Sequence, residues 1–290
     1  MTAAPTPAPR PSLLAGLIGY GIQGSLTPAM HEQEGAAQGL RYVYRRIDLQ
    51  VLGLDASALP ELLTAAERLG FDGLNITFPC KQAIIPHLHE LSEDAAALGA
   101  VNTVVLRDGR RFGHNTDASG FAEGFRRGLP DVQRRRVVQV GAGGAGAAVA
   151  HAAMQLGVTQ LTIFDSEPGR AMQVAADVAA RFGAGRAVAG TDLAEALATA
   201  DGVINTTPVG MAKFPGTPVP PSLLRQELWV AEIIYFPLET QLLHEARARG
   251  CRTLTGGGMA VFQAVDAFRL ITGAEPDPNR IQRHFAAMVG

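Results

Sequence analysis

The chain has 290 residues, of which 47% are hydrophobic and 18% charged, and its formal net charge is -2 at pH 7. This length can hold two compact domains, and the near balance of charge offers no electrostatic attraction to nucleic acid. Every apolar run is shorter than the roughly 18 residues of a membrane span, and the two cysteines lack the spacing of disulfides or zinc ligands, so we expect a cytoplasmic protein without metal.

The first part of the chain predicts an α/β substrate domain over residues 13–120. Residues 1–12 read as a disordered leader, because they are rich in proline and alanine. Short apolar runs then alternate with helical patterns, and this order favours a mainly parallel sheet covered by helices. Within VNTVVLRDGRRFGHNT, the pair Asp108-Gly109 predicts a hairpin turn.

A second unit begins at RRRVVQVGAGGAGAAVAHAAMQLG, where a strand runs into glycines and then into a helix. Its Gly-x-Gly-x-x-Gly spacing and a second strand about twenty residues later are typical of the Rossmann dinucleotide fold. Glycine lets the backbone turn tightly and approach a pyrophosphate at the helix N-terminus. We therefore predict a Rossmann NAD-binding domain over residues 121–255, with a cofactor loop formed by Gly141, Gly143, Gly144 and Ala145.

Two residues bear on the choice of cofactor. Asp165 ends the second Rossmann strand, where a carboxylate can accept hydrogen bonds from the adenosine ribose. A 2'-phosphate carries a charge of about -1.5 to -2 and would be repelled there, so we expect NAD rather than NADP. Arg170 is the contrary signal, because it could pair with that phosphate, although it could equally stack on adenine or lie in solvent.

Further α/β units follow, with ADGVINTT and LWVAEIIYF as strands and TQLLHEARARG as a helix. Residues 256–290 are predicted to be helical, because MAVFQAVDAFRLITG repeats its apolar residues at intervals of three and four.

Seven short motifs, in order, resemble those of the shikimate dehydrogenase family. They are GSLTPAMH, NITFPCK, GAVNTV, GHNTDASGF, GAGGAG, INTTPVGM and GGGMAVFQA. Thr27 stands where biosynthetic members usually have serine, and FDSEPGR replaces a basic segment after the second Rossmann strand. In these two features the chain resembles the NAD-linked quinate/shikimate branch more than the NADP-linked one.

The resemblance implies a substrate domain and an NAD(P) domain that face each other across a cleft, with the C-terminal helices returning to the first domain. It implies reversible oxidation of shikimate to 3-dehydroshikimate, or of quinate to 3-dehydroquinate, by a monomer or homodimer. Lys81 and Asp117 match the family's catalytic pair. Residues matching its contacts to the polyol carboxylate are Ser25, Thr27, Asn75, Thr77, Asn102 and Gln263. Further cofactor contacts fall on Thr206, Thr207, Pro208, Met211, Gly256 and Met259.

The chemistry of alcohol oxidation fits a lysine and a carboxylate. A nicotinamide removes a hydride from carbon, so a protein group beside the hydroxyl must receive the proton. An unperturbed lysine has a pKa of about 10.4, whereas a proton acceptor at neutral pH works best at about 7 to 8. Two routes stay open: desolvation makes the Lys81 amine the acceptor, or Lys81 stays charged and polarises the oxygen while Asp117 or water carries the proton.

Simpler interpretations exist for most of these residues. Lys81 could be a solvated loop charge, Asp117 could cap the helix that begins near Ala118, and Ser25 and Thr27 could cap the helix after Pro28. Gln263 could be a polar residue on a buried helix.

Three other residues near the motifs are expected to have structural roles. Cys80 is expected to be a packing residue rather than a nucleophile, because no histidine motif accompanies it. His31 and His114 are assigned no chemistry, since one histidine per motif is no ligand set.

Other functions compatible with the motifs are an aminoshikimate or aminoquinate dehydrogenase of a specialised pathway and a non-catalytic NAD-binding sensor with the same fold. Retention of both Lys81 and Asp117 argues against the sensor. The residues do not distinguish a role in aromatic amino acid biosynthesis from one in quinate catabolism.

Overall fold

Two six-stranded β-sheets, one after the other along the chain, form the framework of the protein, which a computed structural model describes over residues 12–289. The predicted leader over residues 1–12 lies outside the described residues, except for Ser12, which begins the first strand.

The first sheet has the strand order β2-β1-β3-β5-β6-β4. Its strands are β1 (Ser12–Gly19), β2 (Arg41–Asp48), β3 (Gly73–Ile76), β4 (Glu90–Leu91), β5 (Thr103–Arg107) and β6 (Arg110–His114). The helices of this part are α1 (Thr27–Ala37), α2 (Leu49–Leu52), α3 (Leu59–Arg68), α4 (Cys80–Ala83), α5 (Glu93–Leu98) and α6 (Asp117–Gly128). Three strands, β1 to β3, are parallel, while β5 is antiparallel to both of its neighbours.

The predicted hairpin is confirmed. Strands β5 and β6 pair up to Arg107 opposite Arg110, which leaves Asp108 and Gly109 as a two-residue turn. Both turn residues have positive φ, 53° and 70°, which is the conformation that the tightest hairpin turns need.

The second sheet is parallel throughout and has the order β12-β11-β10-β7-β8-β9. Its strands are β7 (Arg136–Val140), β8 (Gln160–Phe164), β9 (Ala187–Ala189), β10 (Gly202–Asn205), β11 (Trp229–Glu232) and β12 (Arg252–Leu254). The helices around it are α7 (Gly144–Gln155), α8 (Pro168–Phe182), α9 (Leu193–Ala198) and α10 (Gln241–Ala248). The strand order reverses between β7 and β10, and in such sheets the ligand crevice lies over the carboxyl ends of the strands at this switch point.

Two C-terminal helices, α11 (Gly257–Thr272) and α12 (Pro278–Val289), return to the first sheet as predicted. Helix α11 packs closely on α6. A Cβ atom at Gly120 would stand only 2.6 Å from the backbone nitrogen of Gln263. Gly124 likewise faces the backbone of Gly258. Only glycine permits this close approach of two helix backbones, so Gly120, in the motif GHNTDASGF, and Gly124, just after it, allow the contact between α6 and α11.

A buried ion pair ties α12 to α1. Glu34 is 1% exposed, and both of its carboxylate oxygens accept hydrogen bonds at 2.7 Å from Arg280. Burial alone would raise the pKa of Glu34, but the bonds from Arg280, Asp277 and Gln38 outweigh it and lower that pKa. This ion pair thereby holds α12 against α1, which packs on β2 of the first sheet.

Candidate active site

Lys81 and Asp117 lie together at the end of β3. The Nζ atom of Lys81 stands 2.5 Å from Oδ2 of Asp117, and their side chains are 20% and 8% exposed. Lys81 is therefore a paired, largely buried ammonium rather than a solvated loop charge. Its backbone is held by the bond from the nitrogen of Val101 to its carbonyl oxygen, at 2.8 Å.

Cys80, beside Lys81, is fully buried in the core of the first sheet. Burial raises the pKa of its thiol to about 11, so the thiolate is scarcely populated at neutral pH. The structure thus agrees with the expectation that Cys80 packs and does not act as a nucleophile.

Asp117 does not use its carboxylate to cap α6. The helix begins at Asp117 itself, and the preceding Thr116 makes no side-chain cap bond. The carboxylate instead points away from the helix, where Oδ1 accepts a hydrogen bond from Nδ2 of Asn102 at 2.9 Å. The backbone nitrogen of Asp117 donates to Oδ1 of Asn115 at 3.0 Å, which fixes the turn that presents the carboxylate.

A chain of hydrogen-bonded side chains continues from Asn102 into the first sheet. Thr103 donates to Oδ1 of Asn102 at 3.0 Å, and Nδ2 of Asn75 donates to the Thr103 hydroxyl at 2.9 Å. The hydroxyl of Tyr44, which is 5% exposed, donates to Oδ1 of Asn75 at 2.7 Å. These hydrogen bonds fix the orientation of the Asn75 and Asn102 amides. Asn102 in turn holds the carboxylate of Asp117 in place.

Sequence reasoning missed Thr116 and Tyr44. Thr116 accepts a hydrogen bond from Nδ2 of Asn102 at 2.9 Å and lies inside the quoted motif GHNTDASGF. Tyr44 lies at an alternating buried position of β2. A buried tyrosine hydroxyl usually has a hydrogen-bond partner, so a buried tyrosine on a predicted strand was the sequence signal for a supporting role.

The remaining predicted substrate residues lie on neighbouring segments. Helix α1 begins at Thr27 after Leu26, without a side-chain cap bond, and the hydroxyl of Ser25 only accepts a bond of 3.3 Å from the nitrogen of Thr27. The two hydroxyls are therefore not consumed as helix caps. Thr77 is half-buried just after β3, and Gln263 is half-buried on α11, where its Nε2 donates to the carbonyl of Ala260 at 2.9 Å.

The glycine loop after β7 divides into packed and open positions. A Cβ atom at Gly141, whose φ is 107°, would stand 2.7 Å from the Thr206 hydroxyl oxygen, and one at Gly146 would stand 2.5 Å from the carbonyl oxygen of Gly141. Gly143 and Gly144 are exposed and have no atom within 4 Å of a Cβ position, and Ala145 follows in the first turn of α7. The open half of this loop, at the N-terminus of a twelve-residue helix, fits a dinucleotide pyrophosphate.

Asp165 is already tied to that loop. Its Oδ2 accepts a hydrogen bond from the nitrogen of Ala142 at 2.7 Å, and its Oδ1 accepts one from the nitrogen of Glu167 at 2.9 Å. Arg170 pairs with Glu167 at 2.9 Å and is 56% exposed, so it belongs to a surface pair at the start of α8. The half-buried carboxylate, and not the arginine, is the charge fixed at the end of β8.

The loop after β10 forms the opposite wall of the crevice. The Thr206 hydroxyl donates to the carbonyl of Gly141 at 2.7 Å, which holds this wall against the glycine loop. Thr207 is bonded to Asn205, and Met211 is 39% exposed. Pro208 lies between them in the same loop.

At the start of α11, a Cβ atom at Gly256 would lie 2.3 Å from the backbone of Ile233, so close packing requires glycine there. Met259 is half-buried on the same helix and packs against the core of the second sheet.

His31 is enclosed by aromatic rings and has no acidic partner among residues 12–289. It is 1% exposed, its Nδ1 lies 3.1 Å from the Tyr42 hydroxyl, and the rings of Tyr42, Tyr44 and Phe268 surround it. Burial lowers the pKa of His31 to about 3. Burial also lowers the pKa of His114. Both environments suit structural roles, as expected.

The pKa of His31 predicts a loss of stability in acid. The unfolded imidazole takes up a proton below about pH 6.5, but the folded one does so only below about pH 3. Between these values the unfolded state binds more protons, so stability falls as the pH is lowered. We expect the free energy of unfolding to fall by about 3 kcal/mol from this source between pH 6.5 and pH 4.

Calorimetric melting of wild type and His31→Phe at several pH values measures this effect. The stability difference between the two should move in favour of His31→Phe as the solution is acidified. Parallel pH curves for the two proteins would show that His31 does not cause the acid lability.

Within residues 12–289, the structure contains no cluster of three or more His, Cys, Asp or Glu side chains able to hold a metal ion. Over the same residues, no helix combines the length and the apolar character that crossing a bilayer requires.

A doubly wound parallel sheet with an open glycine loop at its switch point, joined to a second α/β sheet, defines a two-domain protein of the dinucleotide-binding class. Two family models match the chain: the shikimate dehydrogenase substrate binding domain at residues 17–104, and the alanine dehydrogenase/PNT C-terminal domain at residues 112–228.

Relatives with two kinds of name match nearly the whole chain. A shikimate dehydrogenase (NADP(+)) of Streptomyces avermitilis is 58% identical and covers 96% of this chain and 97% of its own. A quinate/shikimate dehydrogenase (NAD(+)) of Corynebacterium efficiens is 54% identical and covers 96% and 99%. The chain belongs to the shikimate dehydrogenase family, as its motifs predicted.

Solved structures agree in fold. Quinate dehydrogenase from Corynebacterium glutamicum in complex with NAD superposes with a TM-score of 0.91 at 50% identity, covering 96% of this chain and all of its own. Shikimate 5-dehydrogenase from Thermus thermophilus, in complex with NADP(H) and shikimate, gives a TM-score of 0.83 at 34% identity, covering 95% and 99%. The predicted architecture is therefore confirmed.

Proposed function

We propose that this protein is a nicotinamide-dependent oxidoreductase of the shikimate/quinate dehydrogenase type, which oxidises the C3 hydroxyl of shikimate and also accepts quinate. The observation that carries the proposal is the 2.5 Å contact between Lys81 and Asp117, two largely buried groups of opposite charge. The named relatives that match the chain from end to end support it.

The domain assignment follows from the same proposal. Residues 13–120 bind the substrate, residues 121–255 bind the cofactor, and residues 256–290 close on the first domain. The match of two different family models, at residues 17–104 and 112–228, supports a division into two domains but not the exact limits.

In the proposed reaction, the bound nicotinamide supplies the acceptor for the hydride. Lys81 forms a hydrogen bond with the alcohol group, and Asp117 holds the Lys81 side chain in place while Asn102 orients Asp117. The proton leaves along one of two routes: a neutral Lys81 amine accepts it, or a charged Lys81 polarises the oxygen while Asp117 or water carries the proton.

Six side chains are proposed to hold the polyol carboxylate: Ser25, Thr27, Asn75, Thr77, Asn102 and Gln263. The hydroxyls that helix capping leaves unused at the start of α1 support the first two as partners of the carboxylate. The methyl group of Thr27 changes the pocket by about one methylene, worth roughly 1 to 3 kcal/mol between related substrates. It can therefore tune the preference between shikimate and quinate.

For the cofactor we propose NAD as the preferred partner, although the relatives carry both kinds of name. The fixed carboxylate of Asp165 supports this preference, since it would repel a 2'-phosphate, and Arg170, which could pair with that phosphate, is bonded to Glu167 in this structure.

Replacing Asp165 by serine should raise the ratio of kcat/KM for NADP to that for NAD by at least about tenfold, because the like-charge contact disappears. Asp165→Asn also removes the charge but keeps an oxygen that can accept the hydrogen bond from the nitrogen of Ala142. Comparison of the two variants therefore separates the effect of the charge from the loss of that bond. Initial rates with both cofactors measure the ratio. If neither substitution changes it, other residues set the preference.

The function itself is tested by reduction of NAD and NADP in the presence of shikimate, quinate and aminoshikimate, compared side by side. We expect turnover of shikimate with NAD. Absence of turnover with every polyol acid, in protein shown by calorimetry to bind NAD, would overturn the proposal.

A further inference from the structure

Glu232, the last residue of β11, is a buried carboxylate that the proposed chemistry does not use. It is 1% exposed, and its hydrogen bonds come from neutral groups: Nδ2 of Asn205 at 3.0 Å, the Thr240 hydroxyl at 3.2 Å, and the nitrogens of Ile233 at 3.0 Å and Ile234 at 3.3 Å. Burial raises the pKa of Glu232 to about 7. A carboxyl buried at such a cost, without a cation, calls for a physical reason.

The first consequence of this site concerns the loop after β10. Asn205 closes that loop, because its Nδ2 donates to the carbonyl of Val209 at 3.0 Å while its Oδ1 accepts bonds from the nitrogen and hydroxyl of Thr207 at 2.9 and 2.7 Å. Nδ2 must face Glu232 for this arrangement to hold. Glu232 therefore adds a buried acceptor that stabilises the same orientation of the Asn205 amide as Thr207 and Val209 do, and with it the path of residues 206–209.

The second consequence concerns the loop after β11. The same carboxylate receives the nitrogens of Ile233 and Ile234, and Ile233 is the residue against which Gly256 packs. Thr240, which also donates to Glu232, caps α10 by accepting a bond from the nitrogen of Leu243 at 3.3 Å. One side chain thus joins the loops that follow two neighbouring strands.

These loops lie at the carboxyl ends of β10 and β11, next to the switch point of the sheet. The Thr206 hydroxyl bonds to Gly141, so the loop that Asn205 closes is the wall facing the glycine loop. If the Asn205 amide were turned the other way, its bonds to Thr207 and Val209 would be lost and that wall of the crevice would shift. The contact between Lys81 and Asp117, beside the first sheet, would be unaltered.

We propose that Glu232 is a positioning residue for cofactor binding: it orients the Asn205 amide and so fixes residues 206–209 against the glycine loop. This inference rests on the proposed function, in which that wall contacts the nicotinamide cofactor. Glu232 acts through Asn205 and need not touch the cofactor.

Glu232→Gln tests the proposal with almost no change of shape. The glutamine oxygen can still accept from Ile233 and Ile234, but its amide nitrogen then faces Nδ2 of Asn205, so two donors oppose each other. We expect the Kd for NAD to rise about tenfold, in line with leaving a buried hydrogen-bond donor without its partner, while the Kd for shikimate stays unchanged. Calorimetric titration measures both constants without requiring turnover.

Rescue separates positioning from a general loss of structure. Asn205→Asp alone places two carboxylates together and should weaken NAD binding further. In the double variant Glu232→Gln/Asn205→Asp, the new amide donor meets a new acceptor, so NAD should bind more tightly than in Asn205→Asp, which shares the loss of the bond to the Val209 carbonyl. Glu34→Gln, a buried carboxyl on α1 outside the proposed site, is the matched control and should leave the Kd for NAD unchanged.

An unchanged Kd for NAD in Glu232→Gln, or equal weakening of NAD and shikimate, would overturn the inference, as would a double variant no better than Asn205→Asp alone. These results are distinct from failure of the proposed function, which would appear as absence of turnover in the wild-type protein.

Discussion

Replacing Lys81 by methionine should lower kcat for shikimate oxidation by about 10³-fold, because positioned proton transfer and polarisation contribute roughly 10²- to 10⁴-fold. Methionine keeps most of the stem and removes the ammonium, so the bond of 2.5 Å to Asp117 is lost. The Kd for NAD should stay within about twofold of wild type, since the cofactor crevice lies on the other sheet. Steady-state rates and calorimetric titration measure the two quantities.

Lys81→Arg separates the two proton routes. A guanidinium cannot lose its proton at neutral pH but keeps the positive charge. If the amine of Lys81 is the acceptor, the arginine variant should be as slow as the methionine variant. If Lys81 only polarises the oxygen, arginine should retain a measurable part of the rate. Near-normal kcat in Lys81→Met would remove Lys81 from the catalytic role altogether.

The second large effect is expected for Asp117→Asn. The substitution preserves size but removes the charge opposite Lys81, and an amide cannot satisfy the donors of both Lys81 and Asn102 with one oxygen. We expect kcat to fall by about 10²- to 10³-fold, because the carboxylate that holds the Lys81 side chain beside the reacting hydroxyl has lost its charge.

Asp192→Asn is the matched control for the loss of an aspartate. Asp192 caps α9 by accepting bonds from two backbone nitrogens and is not among the residues proposed to hold the substrate or the cofactor, so this variant should keep the wild-type kcat. A wild-type kcat in Asp117→Asn would mean that the carboxylate only supports the fold.

Local pattern was sufficient where a structural need is met within a few residues. The spacing from Gly141 to Gly146 predicted the cofactor loop, and the structure gives the reason: those two glycines are packed against backbone or hydroxyl atoms, while Gly143 and Gly144 are open. The hairpin turn at Asp108-Gly109 was equally local. By contrast, strands β4, β9 and β12 were not foreseen, because two or three residues carry no periodicity and are held by their neighbours in the sheet.

The sequence by itself determined the family, the two α/β units and the chemical types of the paired residues, since short motifs preserve order and residue identity. Only the tertiary structure decided that Lys81 and Asp117, 36 positions apart, meet at 2.5 Å, and that Tyr44 supports Asn75 from behind. It alone revealed Glu232, because an acidic residue at the end of an apolar strand has no distinguishing local pattern. Such contacts arise when distant segments are packed together, and burial then gives each polar group its partner and its energetic weight.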